Sequence, residues 1–217
     1  MTPLNSMRCA AFTLMATAAL LAGPVPAGAT TLRQMDLDEL AVRADRIVHA
    51  RAVDKKTYWD ESVTRIYTDT TFEVLGEAKG QGPRRLTVSM LGGRIDPAEM
   101  TVEGTPSFST GDEVVLFTSP RPDGKKNLVG FSQGAMRVIE DPGTGEKFAV
   151  SGVPAGVTFV EDTGGHPTVI HPSPHQVPLE QLFEQIRRKQ EEGGPAGPRV
   201  SKTPRKLEAD DADKRQP

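Results

Sequence analysis

Glycine and proline recur so often along this chain that most apolar stretches between them are too short for a helical bundle. The 217 residues include Gly 21 and Pro 18. This punctuation favours short strands joined by many turns. The apolar fraction of 36%, which omits glycine, is ordinary for a folded chain and too high for full disorder. The chain is predicted to be mainly β, with one domain and appendages.

Alternation of apolar and polar residues predicts the strands. It is clearest in a long strand in which Ile66, Phe72 and Val74 share one face. In contrast, Val114-Val-Leu-Phe117 is a continuous apolar run, which indicates a strand buried on both faces. Further short strands are predicted at 46–53, 86–90, 128–131, 135–139, 147–150 and 157–160.

One helix is predicted at each end of the strand-rich region. Asp36 stands three residues before Glu39, as in a capping box. Leu179, Leu182 and Ile186 have the spacing of an amphipathic helix. Seven or eight short strands form an antiparallel barrel or a sandwich. The long early strands, with glycines at their ends, favour a small antiparallel barrel of the oligonucleotide/oligosaccharide-binding (OB) type.

Residues 1–29 have the pattern of a signal peptide. Arg8 precedes an apolar stretch over 10–21, and small residues at Ala27 and Ala29 predict cleavage before Thr30. A membrane anchor is the alternative, but the stretch is shorter than the roughly 20 residues that a spanning helix needs. The mature chain is therefore expected to be exported, to the periplasm or the cell exterior, without a transmembrane segment.

Composition excludes several kinds of chemistry. Cys9 is the single cysteine and lies within the predicted signal, so the mature chain would have no disulfide, thiolate nucleophile or cysteine metal site. A net charge of −3 argues against nucleic acid as a partner. The predicted organisation is a barrel domain over 30–160, a Pro/His-rich linker with the amphipathic helix over 161–192, and a disordered tail over 193–217.

Several short motifs occur in a characteristic order. They include Ala44-Asp45 before an apolar strand, Ile66-Tyr-Thr68, Lys79-Gly80, Gly92-Gly93 and Gly111-Asp-Glu-Val-Val-Leu-Phe117. Over roughly residues 35–140 this order resembles a group of uncharacterised exported bacterial proteins. The resemblance implies export and leaves the chemistry open.

The same order is more distantly similar to the netrin-like module of the tissue inhibitors of metalloproteinases. That resemblance implies an OB barrel and an inhibitor-like or protease-associated role. Those inhibitors bind the zinc of their target through an amino-terminal cysteine and are clamped by disulfides. This chain would begin near Thr30 and has no mature cysteine, so it lacks the residue that zinc-directed inhibition uses.

Two patterns suggest catalytic or metal sites. Gly130-Phe-Ser132-Gln-Gly134 matches the G-x-S-x-G pattern of serine hydrolases, but that chemistry needs a helix after the serine, and a strand pattern follows here. His166, His171 and His175 could bind zinc or copper, yet their Pro-rich surroundings favour solvated histidines in an extended segment. Asp112-Glu113 is interpreted as a turn pair or as solvated charges.

Three other residues are candidates for binding. Trp59 and Tyr67 lie in or beside the first long hairpin, where OB barrels place aromatic residues against ligands; Trp59 could equally plug the barrel end. His49 is expected at the sheet surface or the barrel mouth. The predicted function is a non-enzymatic binding module for a protein or envelope component, without a cofactor. A secreted metal-dependent or serine hydrolase and a structural envelope part are the alternatives.

Overall fold

The computed structural model describes residues 30–152, 157–163 and 166–193. The predicted signal peptide and nearly all of the predicted tail lie outside these residues. The strands are β1 (Thr30–Arg33), β2 (Arg46–Trp59), β3 (Ile66–Lys79), β4 (Arg85–Leu91), β5 (Gly93–Ile95), β6 (Ala98–Met100), β7 (Glu113–Pro120), β8 (Lys126–Leu128), β9 (Ala135–Glu140), β10 (Lys147–Ser151), β11 (Val157–Thr163), β12 (His166–Ile170) and β13 (His175–Pro178). The helices are α1 (Leu37–Arg43), α2 (Leu179–Gly193) and a short 3-10 helix (Phe131–Gly134).

Five strands close into a barrel in the order β7-β2-β3-β4-β8, because β8 pairs with both β4 and β7. The prediction of a small OB-like barrel with a short N-terminal and a C-terminal helix is confirmed. Its pairing is mixed rather than wholly antiparallel, since β4 and β8 run parallel and meet at Val88 and Lys126. Outside the ring, the sheet continues from β7 through β9 and β10 to β13, while β1, β11 and β12 form a separate small sheet.

The barrel interior is apolar. Phe72 is fully buried and meets Phe108 edge to face, with ring centroids 5.2 Å apart. Small residues on β2 leave room for these rings. The other buried interior residues are Val48, Ala50, Ala52, Leu86, Val88, Met90, Val114, Leu116 and Leu128.

A second core lies on the outer face of the barrel, where both helices pack. β7 contributes to both cores: Leu116 is part of the interior cluster, and Val115 and Phe117 belong to the outer one. This confirms the prediction of a strand buried on both faces. From α2 the outer core takes the predicted apolar face, including Leu182 and Ile186.

The N-terminal helix begins as its sequence predicts. The Asp36 carboxylate accepts a hydrogen bond from the Glu39 backbone N–H at 2.7 Å, which caps α1. Leu40 and Ala41 are the buried residues of this helix. A tight turn at 142–145 joins β9 and β10.

Three predicted segments differ from the structure. β2 extends to Trp59, beyond the predicted strand end at residue 53, because its polar second half pairs with β3. The strand expected at 128–131 ends at Leu128 and gives way to the 3-10 helix. The Pro/His-rich segment expected as a linker includes β12 and β13, whose backbones pair with β11 and β10. Prolines are compatible with strands at sheet edges.

Candidate functional site

Tyr67, one of the two predicted aromatic binding residues, stacks on a second tyrosine. It lies directly opposite Tyr58 in the β2–β3 pairing. The two ring centroids are 6.1 Å apart with an interplanar angle of 21°. Both rings lie on the outer face of the hairpin, because Phe72 on β3 points into the barrel and side chains alternate along a strand.

Trp59 does not join this pair. It is the next residue along β2 and lies opposite Ile66, which is 1% exposed. Adjacent residues on a strand face opposite sides of the sheet. Trp59 is therefore on the inner face of the hairpin, half-buried, and the two predicted aromatics do not form one surface.

A charged pair holds Tyr58 in place. The Tyr58 hydroxyl donates to an Asp69 carboxylate oxygen at 3.1 Å, and Lys125 Nζ donates to the Tyr58 hydroxyl oxygen at 2.8 Å. Lys125 also pairs with Asp69 at 2.8 Å. Hydrogen bonds to Asp69 and Tyr58 raise the pKa of Lys125, so its positive charge is stabilised there.

Beside this cluster, a cleft of about 660 Å³ opens between β4 and β8. These two strands pair at Val88 and Lys126 and separate beyond that pair. Residues 89–91 of β4 and residues 127–131 line the cleft, together with Tyr67. We call it the seam cleft, because it lies where the barrel closes; its remaining lining residues are Arg43, Ser119 and Arg121.

The seam cleft combines apolar, aromatic and cationic groups. Its apolar contribution includes Met90, Leu91 and Leu128, and its two charged residues are Arg43 and Arg121. No aspartate or glutamate is among the described residues that line it. Such a site is suited to a ligand with an apolar part and a carboxylate or other anion.

His49, the third predicted binding residue, is buried rather than at the surface. It is 8% exposed on the outer face of β2, and its Nε2 lies 2.9 Å from a Glu113 carboxylate oxygen. Burial lowers the pKa of His49, and Glu113 partly opposes that shift. The expectation of a surface or mouth residue is wrong, because His49 is buried beside Glu113, and Lys147 and Arg51 bind the same carboxylate.

Glu113 is the centre of an ion cluster, not a solvated turn residue. Lys147 Nζ lies 2.7 Å from one of its oxygens and Arg51 lies 2.5 Å from the other. Burial raises the pKa of Glu113, but hydrogen bonds from Lys147, Arg51 and His49 outweigh it and hold the pKa at about 2. The donors therefore keep the carboxylate ionised, and the cluster joins β2, β7 and β10.

Ser132 lies in the 3-10 helix and is followed by strand β9, so the strand–turn–helix arrangement of a hydrolase nucleophile is absent at this position. Its Oγ is buried and meets no hydrogen-bond partner among the described residues. A cavity of about 250 Å³ is lined by residues that include Ser132, Asp36 and His175. His175 is exposed, and no hydrogen bond joins it to the serine.

The three predicted metal-binding histidines lie on or beside the last strands. His166 begins β12, His171 follows that strand, and His175 begins β13. All three are exposed. Within the part of the chain that the structure describes, no three His, Cys, Asp or Glu side chains are grouped closely enough to hold a metal ion.

No protein-family model matches the chain. No curated protein matches it either. Among the described residues, no helix has the length and apolar character needed to cross a bilayer. The function is therefore inferred from the residues of the seam cleft themselves.

The sequence patterns missed most of this site. No sequence motif includes Tyr58, Lys125 or Arg121. Their proximity depends on the β2–β3 register and on the path of the chain after β7. One signal was available: Tyr58 and Tyr67 are the two tyrosines of the chain and flank one turn. A hairpin with a known register would have placed them opposite each other.

Proposed function

We propose that this chain is an exported, non-enzymatic β-barrel module that binds a protein or an envelope component through the seam cleft. The observation that carries the proposal is the composition of that cleft. It offers the Tyr67 ring, apolar side chains and two arginines, without a lining carboxylate among the described residues. Tyrosine and arginine are among the residue types that are enriched at the energetic hot spots of protein interfaces.

The rigidity of the cleft supports a binding role. Tyr67 is stacked on Tyr58, which Asp69 and Lys125 hold by hydrogen bonds. A ring that is already fixed loses little conformational entropy when a partner covers it. The signal-like residues 1–29 support export, and the partner would then be in the periplasm or outside the cell. A secreted protease is one partner of this kind.

The test is capture of partners from the exported fraction of the source cell. The protein, expressed from its full sequence and exported by that cell, is used as bait beside Tyr67→Ala and Leu75→Ala variants. Leu75 lies on the same strand, is 42% exposed and does not line the seam cleft. We expect a stoichiometric protein or envelope partner with wild type and Leu75→Ala, and at least tenfold less with Tyr67→Ala. Equal capture by all three forms would contradict the proposed site.

A further inference from the structure

A second cavity, of about 280 Å³, lies at the end of the barrel that the β2–β3 hairpin extends beyond. One side is the inner face of β2, β3 and β4, and the other is formed by residues within 92–108, which include β6. Met90 and Leu91 border both this cavity and the seam cleft. No arginine or tyrosine is among the described residues that line it. We call it the barrel-end cavity.

The lining of the barrel-end cavity is rich in hydroxyl groups. Thr68 and Thr70 reach it from the inner face of β3, because Phe72 on the same strand points into the barrel and side chains alternate along a strand. The other hydroxyl residues of the lining are Thr101, Thr105 and Ser107. A hydroxyl group both donates and accepts hydrogen bonds, so this lining suits a ligand with several hydroxyls of its own.

Thr70 has a buried hydroxyl without a partner. The residue is 4% exposed and lines the cavity, yet its Oγ1 makes no hydrogen bond with a described residue. In contrast, Thr68 Oγ1 donates to the Gly92 carbonyl at 2.7 Å. Burying a hydroxyl without a hydrogen bond costs free energy, and a ligand that pairs with Thr70 Oγ1 would recover it.

The cavity also has apolar surface and two opposite charges. Met90 and Phe108 are buried and line it beside the half-buried Met100. Lys55 and Glu99 are its charged residues, and both are exposed. A ligand with a net charge would be attracted by one of them and repelled by the other. A neutral sugar ring has hydroxyls along its edge and apolar C–H faces, so it matches both kinds of surface.

The size of the cavity agrees with one such ring. A cavity of about 150 Å³ holds benzene, so 280 Å³ has room for one six-membered ring with its substituents. We infer that the barrel-end cavity binds a neutral sugar ring, with a ring hydroxyl bonded to Thr70 Oγ1 and a C–H face against Met90 and Phe108. This site is additional to the seam cleft and does not depend on the partner proposed there.

Methionine methyl NMR locates a bound ligand within the chain. The protein, expressed from its full sequence with methyl-labelled methionine and purified after export, is titrated with the methyl glycosides of glucose, galactose, mannose and N-acetylglucosamine. We expect at least one glycoside to shift the Met90 and Met100 resonances. Those of Met35 and Met136 should stay in place, because these residues line a different cavity. No shift with any glycoside, or a shift of Met90 without Met100, would overturn the inference.

A pair of threonine variants tests the hydroxyl itself. Thr70→Val should weaken binding of the tightest glycoside at least fivefold, because it removes the hydrogen bond that the ring hydroxyl makes. Thr71→Val is the matched control, since Thr71 is the next residue along β3, faces outward and does not line the cavity. Its Kd should stay within about twofold of wild type. Equal weakening by both variants would contradict a role for Thr70.

An acidic sugar distinguishes a neutral site from an anion site. Methyl glucuronide differs from methyl glucoside by a carboxylate, and we expect it to bind no more tightly. Tighter binding of the glucuronide that is lost in Lys55→Met would mean that the cavity selects an anion, and would overturn the inference. Capture of a partner through Tyr67 is measured separately, so either site can fail without the other.

Discussion

Tyr58 and Tyr67 face each other across the β2–β3 pair and stack on the outer surface of the barrel. This arrangement depends on an irregularity between Ala52 and Asp54, where one residue of β2 has no partner on β3. Such a bulge reverses which face each later residue occupies. It therefore places Tyr58, and not Trp59, on the same face as Tyr67.

The Glu113 cluster should make stability depend on acid pH. The pKa of Glu113 is lowered from an ordinary 4.5 to about 2 in the folded chain. A carboxylate whose pKa is lower in the folded chain than in the unfolded chain stabilises the fold at pH values above the unfolded pKa. This stabilisation is lost as the pH falls from about 4.5 towards 2. We expect Glu113→Gln to reduce the free energy of unfolding by about 2 kcal/mol at pH 7.

Denaturant titrations at pH 7 and pH 3 measure this difference. The difference in the free energy of unfolding between wild type and Glu113→Gln should be smaller at pH 3 than at pH 7. Glu103→Gln, at an exposed position, is the matched control and should leave stability unchanged within about 0.5 kcal/mol. A gap that is the same at both pH values would show that the carboxylate is not the stabilising group.

Arg46 is a buried cation with incomplete pairing. It is 3% exposed, and its Nη2 donates to the Glu77 carboxylate and to the Pro83 carbonyl, the latter at 3.0 Å. Its Nε and Nη1 have no partner among the described residues. Removing the side chain leaves a void, so Arg46→Ala should cost about 3 kcal/mol.

Arg46→Met should cost less than Arg46→Ala, because methionine refills the space and removes two unsatisfied donors. Chemical denaturation of both variants measures this, with exposed Arg84→Ala as the control. If the methionine variant is as unstable as the alanine variant, the ion pair with Glu77 contributes more stability than the two unsatisfied donors cost.

Ser132→Ala should leave partner binding intact and raise the free energy of unfolding by up to about 1 kcal/mol. The reason is that the Ser132 hydroxyl is buried without a partner, and removing such a group abolishes its desolvation penalty. Capture assays and denaturant titration measure the two effects. A folded Ser132→Ala protein without function would favour the serine hydrolase alternative instead.

Triple replacement of His166, His171 and His175 with unchanged function would exclude a metal role for them.

Export predicts a new N-terminus at Thr30. Ala27 and Ala29 match the small residues that signal peptidase requires, and the apolar stretch before them is too short to span a bilayer. N-terminal sequencing of the protein from the exported fraction should begin at Thr30. Arg8→Glu should slow processing, and exposed Arg94→Glu should not. Recovery of the full-length chain from the cytoplasm alone would contradict export.

Local patterns were sufficient for much of the fold and insufficient for the site. The apolar run Val114–Phe117 and the Asp36 cap have strong local causes, and both predictions are confirmed. β8 has three residues and no apolar alternation, so its role in closing the barrel depends on distant pairing with β4 and β7. The seam cleft exists because β8 pairs with both β4 and β7. The residues of β4 or of β8, taken alone, do not indicate it.

Burial of His49 and ionisation of Glu113 illustrate the same limit. Each residue follows an ordinary strand pattern, and their contact joins positions 64 residues apart. Lys147 completes the cluster from β10. Electrostatic clusters of this kind depend on tertiary packing, which hydrophobic periodicity does not encode.

Photo-crosslinking from position 67 is the sharpest test of binding at the seam cleft. A photoreactive phenylalanine analogue replaces Tyr67 in one form of the full chain and Leu75 in another, and both forms are irradiated in the source cell. We expect a discrete crosslinked partner from position 67 and little or none from position 75. No crosslink from position 67, or equal crosslinking from both positions, would contradict binding at the seam cleft.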